Sequence, residues 1–346
     1  MFHKLCKFHK LNYVLYLLFI YIFILNYSNK NKPKISVFLP IYNKENYIVN
    51  CIHSLQNQTL KDIEIVAVND CSNDNSLEIL TNLAKNDGRI KIVNNDKNHG
   101  LLYSRAMGVL NSCGEYLLNL DPDDVIYGED SLEYLYNQSK FYNLDIISFY
   151  VNAKKDNSII KCTPKNKILQ EHNIFSSIFS YSYVIADYLI WNKLIKKEIF
   201  LSAYVDFREK IYNGKWNYFE DDVWNILVHR YAKSKKCVDK LVYIYNNNMD
   251  SLMNKEYGFI QFQNLIYRHE MYEKIFSLKN EEKYLIAEYY FLFNRINTRK
   301  KSLLLLKDKN INNQIINIFK FFLKKYNVSK VNEKNINNFI NSIILF

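Results

Sequence analysis

Residues 115–124 read EYLLNLDPDD, an apolar run followed at once by three carboxylates on a tight turn. The apolar part, Tyr116–Leu120, has the length and composition of a buried β-strand. The three aspartates behind it, Asp121, Asp123 and Asp124, would repel one another if they were left unpaired. A hard divalent cation, Mg²⁺ or Mn²⁺, relieves that repulsion, so the stretch predicts a strand that ends in a metal site. The alternative interpretation is an aspartate-rich turn that caps a helix.

Strands and helices alternate on both sides of this stretch. Each predicted strand is a short apolar run, and the segments between the strands carry apolar residues at helical spacing. The predicted strands are Ile35–Leu39, Ile63–Val68, Ile90–Val93, Tyr116–Leu120 and Asp145–Tyr150, and the predicted helices are Asn46–Asn57, Ser76–Lys85, a segment around Leu102 to Val109, and Ser131–Tyr142. This alternation predicts an α/β fold with a largely parallel sheet.

The second half of the chain is less regular. Its predicted elements are helices at Glu171–Ser180, Lys197–Val205 and Asp221–Ala232 and a strand at Leu241–Tyr245. From Phe259 to the end the pattern is mostly helical, aromatic and basic. We therefore expect a helical extension behind the α/β part.

The N-terminal stretch Leu11–Tyr27 carries no charged residue and follows a segment with three lysines. Its length lies at the lower edge of the roughly 17 to 25 residues that a membrane helix needs, and tyrosines near both ends suit the membrane interface. A cleaved signal peptide is the alternative, but no A-x-A-like site follows. The stretch predicts an uncleaved membrane anchor, whose orientation stays open because lysines flank both ends.

Composition excludes wholesale disorder and several kinds of site. Hydrophobic residues make up 49% of the chain, which is enough for a packed core. The net charge is +11, but the lysines are scattered, so we expect a solvated basic surface and no nucleic-acid partner. Glycine-rich phosphate loops are absent, which argues against a dehydrogenase or a P-loop enzyme. The six cysteines lack CxxC spacing and predict buried free thiols.

Polar residues follow several of the predicted strands. Pro40, Tyr42 and Asn43 come at the end of the first strand, Asp70 follows the second, and the acidic turn follows the fourth. Ligands bind beyond the carboxyl ends of strands in open parallel sheets. We therefore expect an aromatic ring, an isolated carboxylate and an acidic cluster to meet at one edge of the sheet.

Five segments, taken in order, resemble the family-two glycosyltransferases. They are SVFLPIYNKENYI, VNDCSNDNS, NHGLLYSRAMG, GEYLLNLDPDD and YFEDDVW. The resemblance covers residues 35–255, and residues 35 to 150 correspond to the half that binds the nucleotide-sugar. It implies a GT-A-type fold with a Rossmann-like, mixed and mostly parallel sheet. It also implies transfer of a sugar from a nucleotide-diphospho-sugar to an acceptor hydroxyl.

The resemblance assigns a group of residues to the donor: Pro40, Tyr42, Asn43, Asp70, Gly100 and Arg105. Tyr42 lies where the family stacks the base, and an aromatic face suits uracil. Asp70 matches the acid that accepts a hydrogen bond from the ring N–H, although the preceding residue, often Asp in the family, is Asn69 here. Arg105 matches an arginine that contacts the nucleotide, and an arginine paired to a surface acid is the alternative. The acidic turn resembles the motif through which Mn²⁺ or Mg²⁺ bridges the diphosphate.

Sugar transfer with inversion also requires a carboxylate that deprotonates the acceptor hydroxyl. The run Glu220, Asp221 and Asp222, followed by Trp224, resembles the acidic pair that precedes an aromatic residue in the family. Asp221 is the predicted base, with Glu220 and Asp222 as alternatives. Acids in the first turn of a helix also favour its dipole, which is the competing structural interpretation.

The sequence thus predicts an anchor and linker (residues 1–34), a GT-A domain (35–255) and a helical extension (256–346). The resemblance implies a hexosyl- or N-acetylhexosaminyl-transferase with a UDP-sugar donor favoured and a glycan, lipid or protein acceptor. A single-pass type II arrangement would place the domain in the Golgi or ER lumen of a eukaryote, and a reversed helix would place it in the cytoplasm. The alternatives are an inactive nucleotide-sugar-binding membrane protein and a nucleotidyltransferase.

Overall fold

The structure is a computed structural model that describes residues 32–154, 156–162, 167–170, 174, 189–211 and 220–246. The predicted anchor, the predicted helical extension and the predicted helix at Glu171–Ser180, except for Ile174, lie outside these residues. Within the described part of the chain, no helix combines the length and apolar character that crossing a membrane requires.

The described residues form ten strands and six helices. The strands are β1 (Ile35–Ile41), β2 (Ile63–Asn69), β3 (Ile90–Asn94), β4 (Tyr116–Asn119), β5 (Val125–Ile126), β6 (Ile146–Ala153), β7 (Ser158–Ile160), β8 (Ile168–Gln170), β9 (Lys193–Lys196) and β10 (Ser234–Tyr245). The helices are α1 (Ile48–Gln56), α2 (Ser76–Asn86), α3 (Leu101–Asn111), α4 (Ser131–Phe141), α5 (Lys197–Ile211) and α6 (Glu220–Tyr231).

All ten strands belong to one mixed sheet with the central order β3-β2-β1-β4-β9-β6-β10-β5. Strands β1 to β4 run parallel to one another, as the alternation of strands and helices predicts. Strand β9 lies antiparallel between β4 and β6, and β10 runs parallel to β6. The predicted α/β fold with a mixed sheet is therefore confirmed. The pairings among β1 to β4 and between β6 and β10 are parallel, whereas β5, β7, β8 and β9 pair antiparallel with their neighbours, so the parallel character predominates in the first half of the sheet.

The core lies on both faces of the central strands, and every residue of β1 is buried. Helix α3 packs closely on this strand at Gly108, where an added Cβ would come within 2.6 Å of the Phe38 side chain. A larger residue there would push the helix off the sheet. The close contact fixes the position of Arg105, which lies one turn earlier on the same helix.

Two cysteines contradict the prediction of free thiols. Cys162, just after β7, forms a disulfide with Cys237 of β10, and their Cα atoms are 5.8 Å apart. Because β6 pairs with both β7 and β10, the sheet brings together two thiols that are 75 residues apart in sequence. Cys51 is free and buried as predicted, whereas Cys71 and Cys113 are free but exposed.

Candidate active site

The parallel strands β1, β2 and β4 end at the same edge of the sheet. Ile41 pairs with Asn69 at the ends of β1 and β2, and the next amide, that of Asp70, donates a 2.8 Å hydrogen bond to the Ile41 carbonyl. The amide of Leu120, after β4, donates to the Phe38 carbonyl at 3.1 Å. The structure therefore brings the residues that follow these strands together, as the sequence predicts.

Asp70 anchors the loop that leads into α3. Its carboxylate is buried and accepts hydrogen bonds from the Asn95 side chain (2.7 Å), the His99 amide (3.0 Å) and the Gly100 amide (2.8 Å). Gly100 has φ +93°, a conformation that favours glycine. These three donors leave the carboxylate capacity for about one more hydrogen bond. The predicted hydrogen bond between Asp70 and the base of a nucleotide stays a prediction.

The residues after β1 link two neighbouring loops. Asn43 donates from its amide to Ser72 Oγ (3.1 Å), and its side-chain oxygen accepts from the Asn73 amide (2.8 Å). Tyr42, at the edge of the sheet, is 41% exposed. Pro40 was expected after the strand, but β1 continues to Ile41 because its pairing with β2 continues, so Pro40 is a buried strand residue.

Cationic side chains neutralise two carboxylates of the acidic turn. Asp121 accepts hydrogen bonds from Asn119 Nδ2 (3.0 Å) and from Arg105 Nη2 (3.1 Å). Asp123 pairs with Lys44 Nζ at 2.6 Å. These contacts offset the mutual repulsion of the aspartates.

The third carboxylate, that of Asp124, is buried beneath the turn. It accepts a hydrogen bond from the Tyr243 hydroxyl at 2.7 Å and one from the Asn246 amide at 2.7 Å. Burial raises its pKa to about 8, with Asp121 and Asp123 adding to the effect, against these two hydrogen bonds. The side chain therefore joins the turn to the end of β10.

The metal prediction concerns this same turn. Among the residues that the structure describes, no group of three His, Cys, Asp or Glu side chains is arranged to hold a metal ion. The side chains of Asp121 and Asp123 are 23% and 16% exposed. Carboxylates of this kind fit a hard cation that takes one or two protein oxygens plus phosphate oxygens. Asp121 and Asp123 are the two exposed enough to reach such an ion, and the ligand roles of Asp121, Asp123 and Asp124 all stay predictions.

The predicted base segment forms the first turn of α6. Glu220 and Asp222 are buried, whereas 24% of the Asp221 side chain remains exposed. Burial raises the pKa of Glu220 and of Asp221, and Arg105 opposes the rise in both. Of the three candidate bases, Asp221 is therefore the one whose side chain best combines exposure with a raised pKa.

Arg105 connects the two acidic segments. Its Nη1 pairs with Glu220 Oε1 at 3.0 Å and with the Asp221 carboxylate, while its Nη2 pairs with Asp121. The resemblance assigns Arg105 to the nucleotide, with pairing to a surface acid as the alternative. The structure shows pairing with acids, but with buried and partly buried ones up to 116 positions away, which the sequence does not identify. The nucleotide contact stays a prediction.

Three further residues contact the acidic turn. Lys44 lies within the segment SVFLPIYNKENYI, where the sequence assigns it no role. Tyr243 and Asn246 lie in the stretch 243–251, which resembles the closing strand and loop of the family near the donor diphosphate, but the sequence does not predict their contacts with the turn. The contacts of Tyr243 and Asn246 with the acidic turn depend on the antiparallel pairing of β5 with β10, which has no local sequence signal. For Asn246, the sequence offers one indication of a place at the site, because it is a polar residue directly after a strand.

Comparisons with known proteins agree with this arrangement. Residues 36–201 match the family model described as Glycosyl transferase family 2. The uncharacterized glycosyltransferase EpsJ of Bacillus subtilis (strain 168) is 31% identical over 228 residues, which are 65% of this chain and 64% of EpsJ. The cholesterol galactosyltransferase of Borreliella burgdorferi is 27% identical over 284 residues, which are 76% of this chain and 75% of that protein. The match to EpsJ thus spans slightly less than two thirds of that relative.

Solved structures share the fold. The structure of S. aureus TarS 1-349 in complex with UDP-GlcNAc superposes with a TM-score of 0.61 at 18% identity, covering 82% of this chain and 79% of that one. The structure of S. aureus TarS gives a TM-score of 0.62 at 19% identity, and the superposition covers 85% of this chain and 49% of that one. At this level of identity the likeness concerns the fold, a mixed α/β sheet typical of GT-A glycosyltransferases.

Proposed function

We propose that this chain is a member of glycosyl transferase family 2, whose model matches residues 36–201, and that it transfers a sugar from a nucleotide-diphospho-sugar to an acceptor hydroxyl. One observation carries the proposal. The partly exposed carboxylate of Asp221 lies across a single guanidinium, that of Arg105, from the acidic turn at Asp121. A general base on one side of the guanidinium and a diphosphate-binding turn on the other suit a displacement at the anomeric carbon. The acceptor would attack that carbon near Asp221, and the diphosphate would leave near Asp121.

The proposed reaction inverts the anomeric carbon. Asp221 accepts the proton of the acceptor hydroxyl while the acceptor oxygen forms its bond to the anomeric carbon. The bond from that carbon to the diphosphate oxygen breaks on the opposite face, and its electron pair leaves with the nucleoside diphosphate. Mn²⁺ or Mg²⁺, when bound, supplies positive charge to the leaving diphosphate. Asp121 and Asp123 are the proposed ligands, and Lys44 holds Asp123 in place.

UDP is the proposed nucleotide part of the donor. The exposed Tyr42 ring offers a stacking face for a pyrimidine. Asp70 keeps capacity for about one more hydrogen bond, which a uracil ring N–H can use. The similar S. aureus TarS is described in complexes with UDP-GlcNAc and with UDP. These observations support a UDP-hexose or UDP-N-acetylhexosamine.

The acceptor class is proposed more broadly as a glycan, a lipid or a protein. The relative named cholesterol galactosyltransferase supports testing a membrane lipid first. An apolar segment at residues 11–27 agrees with such an acceptor, because we propose that it anchors the enzyme in a membrane.

The disulfide supports a particular side of that membrane. Disulfides persist in oxidising compartments and are rare in the cytosol. We therefore propose that the domain with the Cys162–Cys237 bond faces an oxidising compartment. In a eukaryote, a type II protein would have this domain in the ER or Golgi lumen.

Deleting residues 1–30 tests the proposed anchor and is expected to move the protein from the membrane to the soluble fraction. Continued pelleting with membranes would mean that a segment outside residues 1–30 attaches it.

A nucleotide panel tests the proposed function. We would measure the thermal unfolding of the full chain in detergent with UDP, GDP and dTDP, each with and without Mn²⁺. A ligand at 100 times its dissociation constant stabilises the folded state by about 2.7 kcal/mol, so modest affinity is visible. Mn²⁺-dependent stabilisation by UDP, followed by UDP release from a UDP-sugar, is the expected result. Binding without release would indicate an inactive nucleotide-sugar-binding protein, and no response to any nucleotide would remove the donor site.

A further inference from the structure

Arg105 is one of the largest fully buried side chains that the structure describes, with 1% of the residue exposed. Burying a guanidinium is costly unless opposite charges surround it. Burial acts to lower its pKa, but the carboxylates of Asp221, Asp121 and Glu220 raise it, so the charge is retained. A buried positive charge that pairs with three carboxylates from two distant segments indicates that Arg105 connects these segments inside the protein.

Each terminal nitrogen of the guanidinium faces a different segment. Nη1 contacts Asp221 and Glu220 at the first turn of α6, and Nη2 contacts Asp121 after β4. The planar group is rigid, so its width sets the separation between the α6 carboxylates and the Asp121 carboxylate. The backbone of Arg105 is equally fixed, because α3 packs tightly on β1 at Gly108.

These contacts leave little of the side chain for a nucleotide. Both terminal nitrogens bind carboxylates, and 2% of the side chain is exposed. The remaining nitrogen, Nε, is buried and has no hydrogen-bond partner among the described residues. The geometry therefore favours a role inside the protein over direct contact with the donor.

We propose that Arg105 is a positioning residue, which holds the base Asp221 at a fixed distance from Asp121 and so aligns the base with the acceptor hydroxyl that it deprotonates. This inference rests on the proposed function for the identity of the base. Without the guanidinium, the carboxylates of Glu220, Asp221 and Asp121 would repel one another, and the first turn of α6 would move away from the acidic turn.

Substitutions at Arg105 test the proposal. We would compare Arg105→Met and Arg105→Lys with the wild type, using the UDP dissociation constant in the presence of Mn²⁺ and the kcat and KM for UDP release from UDP-N-acetylglucosamine or UDP-galactose. Misplacement of a reacting group by about 1 Å lowers the rate on the order of 10²-fold. We expect that loss in kcat for Arg105→Met, with the UDP dissociation constant and KM changed by less than about threefold. Arg105→Lys should recover part of the kcat, because it keeps the charge.

Arg89 provides the matched control. It is also paired to an aspartate, Asp87 at 2.8 Å, but lies just before β3 at the opposite edge of the sheet. Arg89→Met and Arg89→Lys are expected to leave kcat unchanged. A large loss of UDP affinity in Arg105→Met with kcat preserved would assign Arg105 to the nucleotide and overturn the proposal, as would full activity.

A crystal structure separates this inference from the proposed function. In Arg105→Met, or in Arg105→Lys if the methionine variant does not fold, the carboxylates of Asp221 and Asp121 are expected to lie farther apart than in the wild type. An unchanged separation would overturn the positioning role whatever the activity. A wild type that releases no UDP from either donor would instead count against the proposed function alone.

Discussion

The hydroxyl of Tyr243 donates a 2.7 Å hydrogen bond to Oδ2 of Asp124, across 119 positions of the sequence. This bond ties the end of β10 to the turn that follows β4. The same hydroxyl accepts a hydrogen bond from the Asp121 amide at 3.3 Å, so one phenol contacts two residues of the acidic turn. The geometry of the turn therefore depends on a strand from the far side of the sheet.

Removing that hydroxyl should destabilise the domain. In Tyr243→Phe, buried Asp124 loses one of its two hydrogen bonds, which is expected to lower the free energy of unfolding by about 1–3 kcal/mol. Urea unfolding measures the change. Tyr127→Phe is the control, because the Tyr127 side chain is 51% exposed. Equal stability of the two variants would show that the bond to Asp124 contributes nothing.

The acidic turn should be required for metal-dependent donor binding. Asp123→Ala removes a proposed Mn²⁺ ligand and is expected to abolish the Mn²⁺-dependent part of the thermal stabilisation by UDP. Asp130→Ala is the control, since Asp130 is also paired to a lysine, Lys240 at 2.7 Å, but is an exposed residue away from the turn. Unchanged Mn²⁺ dependence in Asp123→Ala would refute the metal assignment.

Substitution of the proposed base, Asp221, should lower the rate of transfer without weakening the binding of the donor. Asp221→Asn keeps the size of the side chain but removes its capacity to accept a proton, so transfer should fall by a factor on the order of 10²–10⁴ while UDP affinity is retained. Glu198→Gln is the matched control, because Glu198 lies in the first turn of another helix, α5. Steady-state kinetics with a UDP-sugar checks both, and retained transfer in Asp221→Asn would exclude it as the base.

Acid should destabilise the domain through His229. Burial, together with Lys235 and Lys193, lowers the pKa of this histidine well below its usual value. Below about pH 6.5 the unfolded chain therefore binds a proton that the folded chain does not, and the free energy of unfolding falls by up to about 1.4 kcal/mol per pH unit. The raised pKa values of Asp124, Glu220 and Asp221 act in the opposite direction, so the measurement is the difference between two proteins. In urea unfolding between pH 7.5 and 5, the free energy of unfolding of the wild type minus that of His229→Asn should fall with this slope as the pH drops. The exposed control His53→Asn should keep the wild-type slope, and an unchanged slope in His229→Asn would contradict the prediction.

The disulfide should contribute measurably to stability. Removing a native disulfide typically costs about 2–5 kcal/mol, so Cys162→Ser with Cys237→Ser is expected to lower the unfolding temperature. Cys113→Ser, at an exposed free cysteine, should not. Alkylation of the unreduced, denatured wild type, read by mass spectrometry, should leave Cys162 and Cys237 unlabelled. Labelling of both without reductant would show that the bond does not form.

Local pattern predicted most of the regular elements. The expected strand Ile63–Val68 is observed as Ile63–Asn69, and the expected helix Asp221–Ala232 is observed as Glu220–Tyr231. These succeed because a short apolar run, or apolar residues at helical spacing, reports the burial of a segment directly. Strand β9, Lys193–Lys196, was not predicted, because it has lysines at both ends and is buried only through its pairing with β4 and β6.

The sequence by itself determined at which edge of the sheet the candidate site residues lie, because polar residues placed directly after parallel strands must meet at the carboxyl ends of those strands. Tertiary structure alone decided the partners: Lys44 for Asp123, Tyr243 for Asp124, and Arg105 for both acidic segments. Ion pairs and hydrogen bonds between side chains form over a few ångströms in space and leave no periodicity along the chain. They become visible only after the sheet order has placed distant segments side by side.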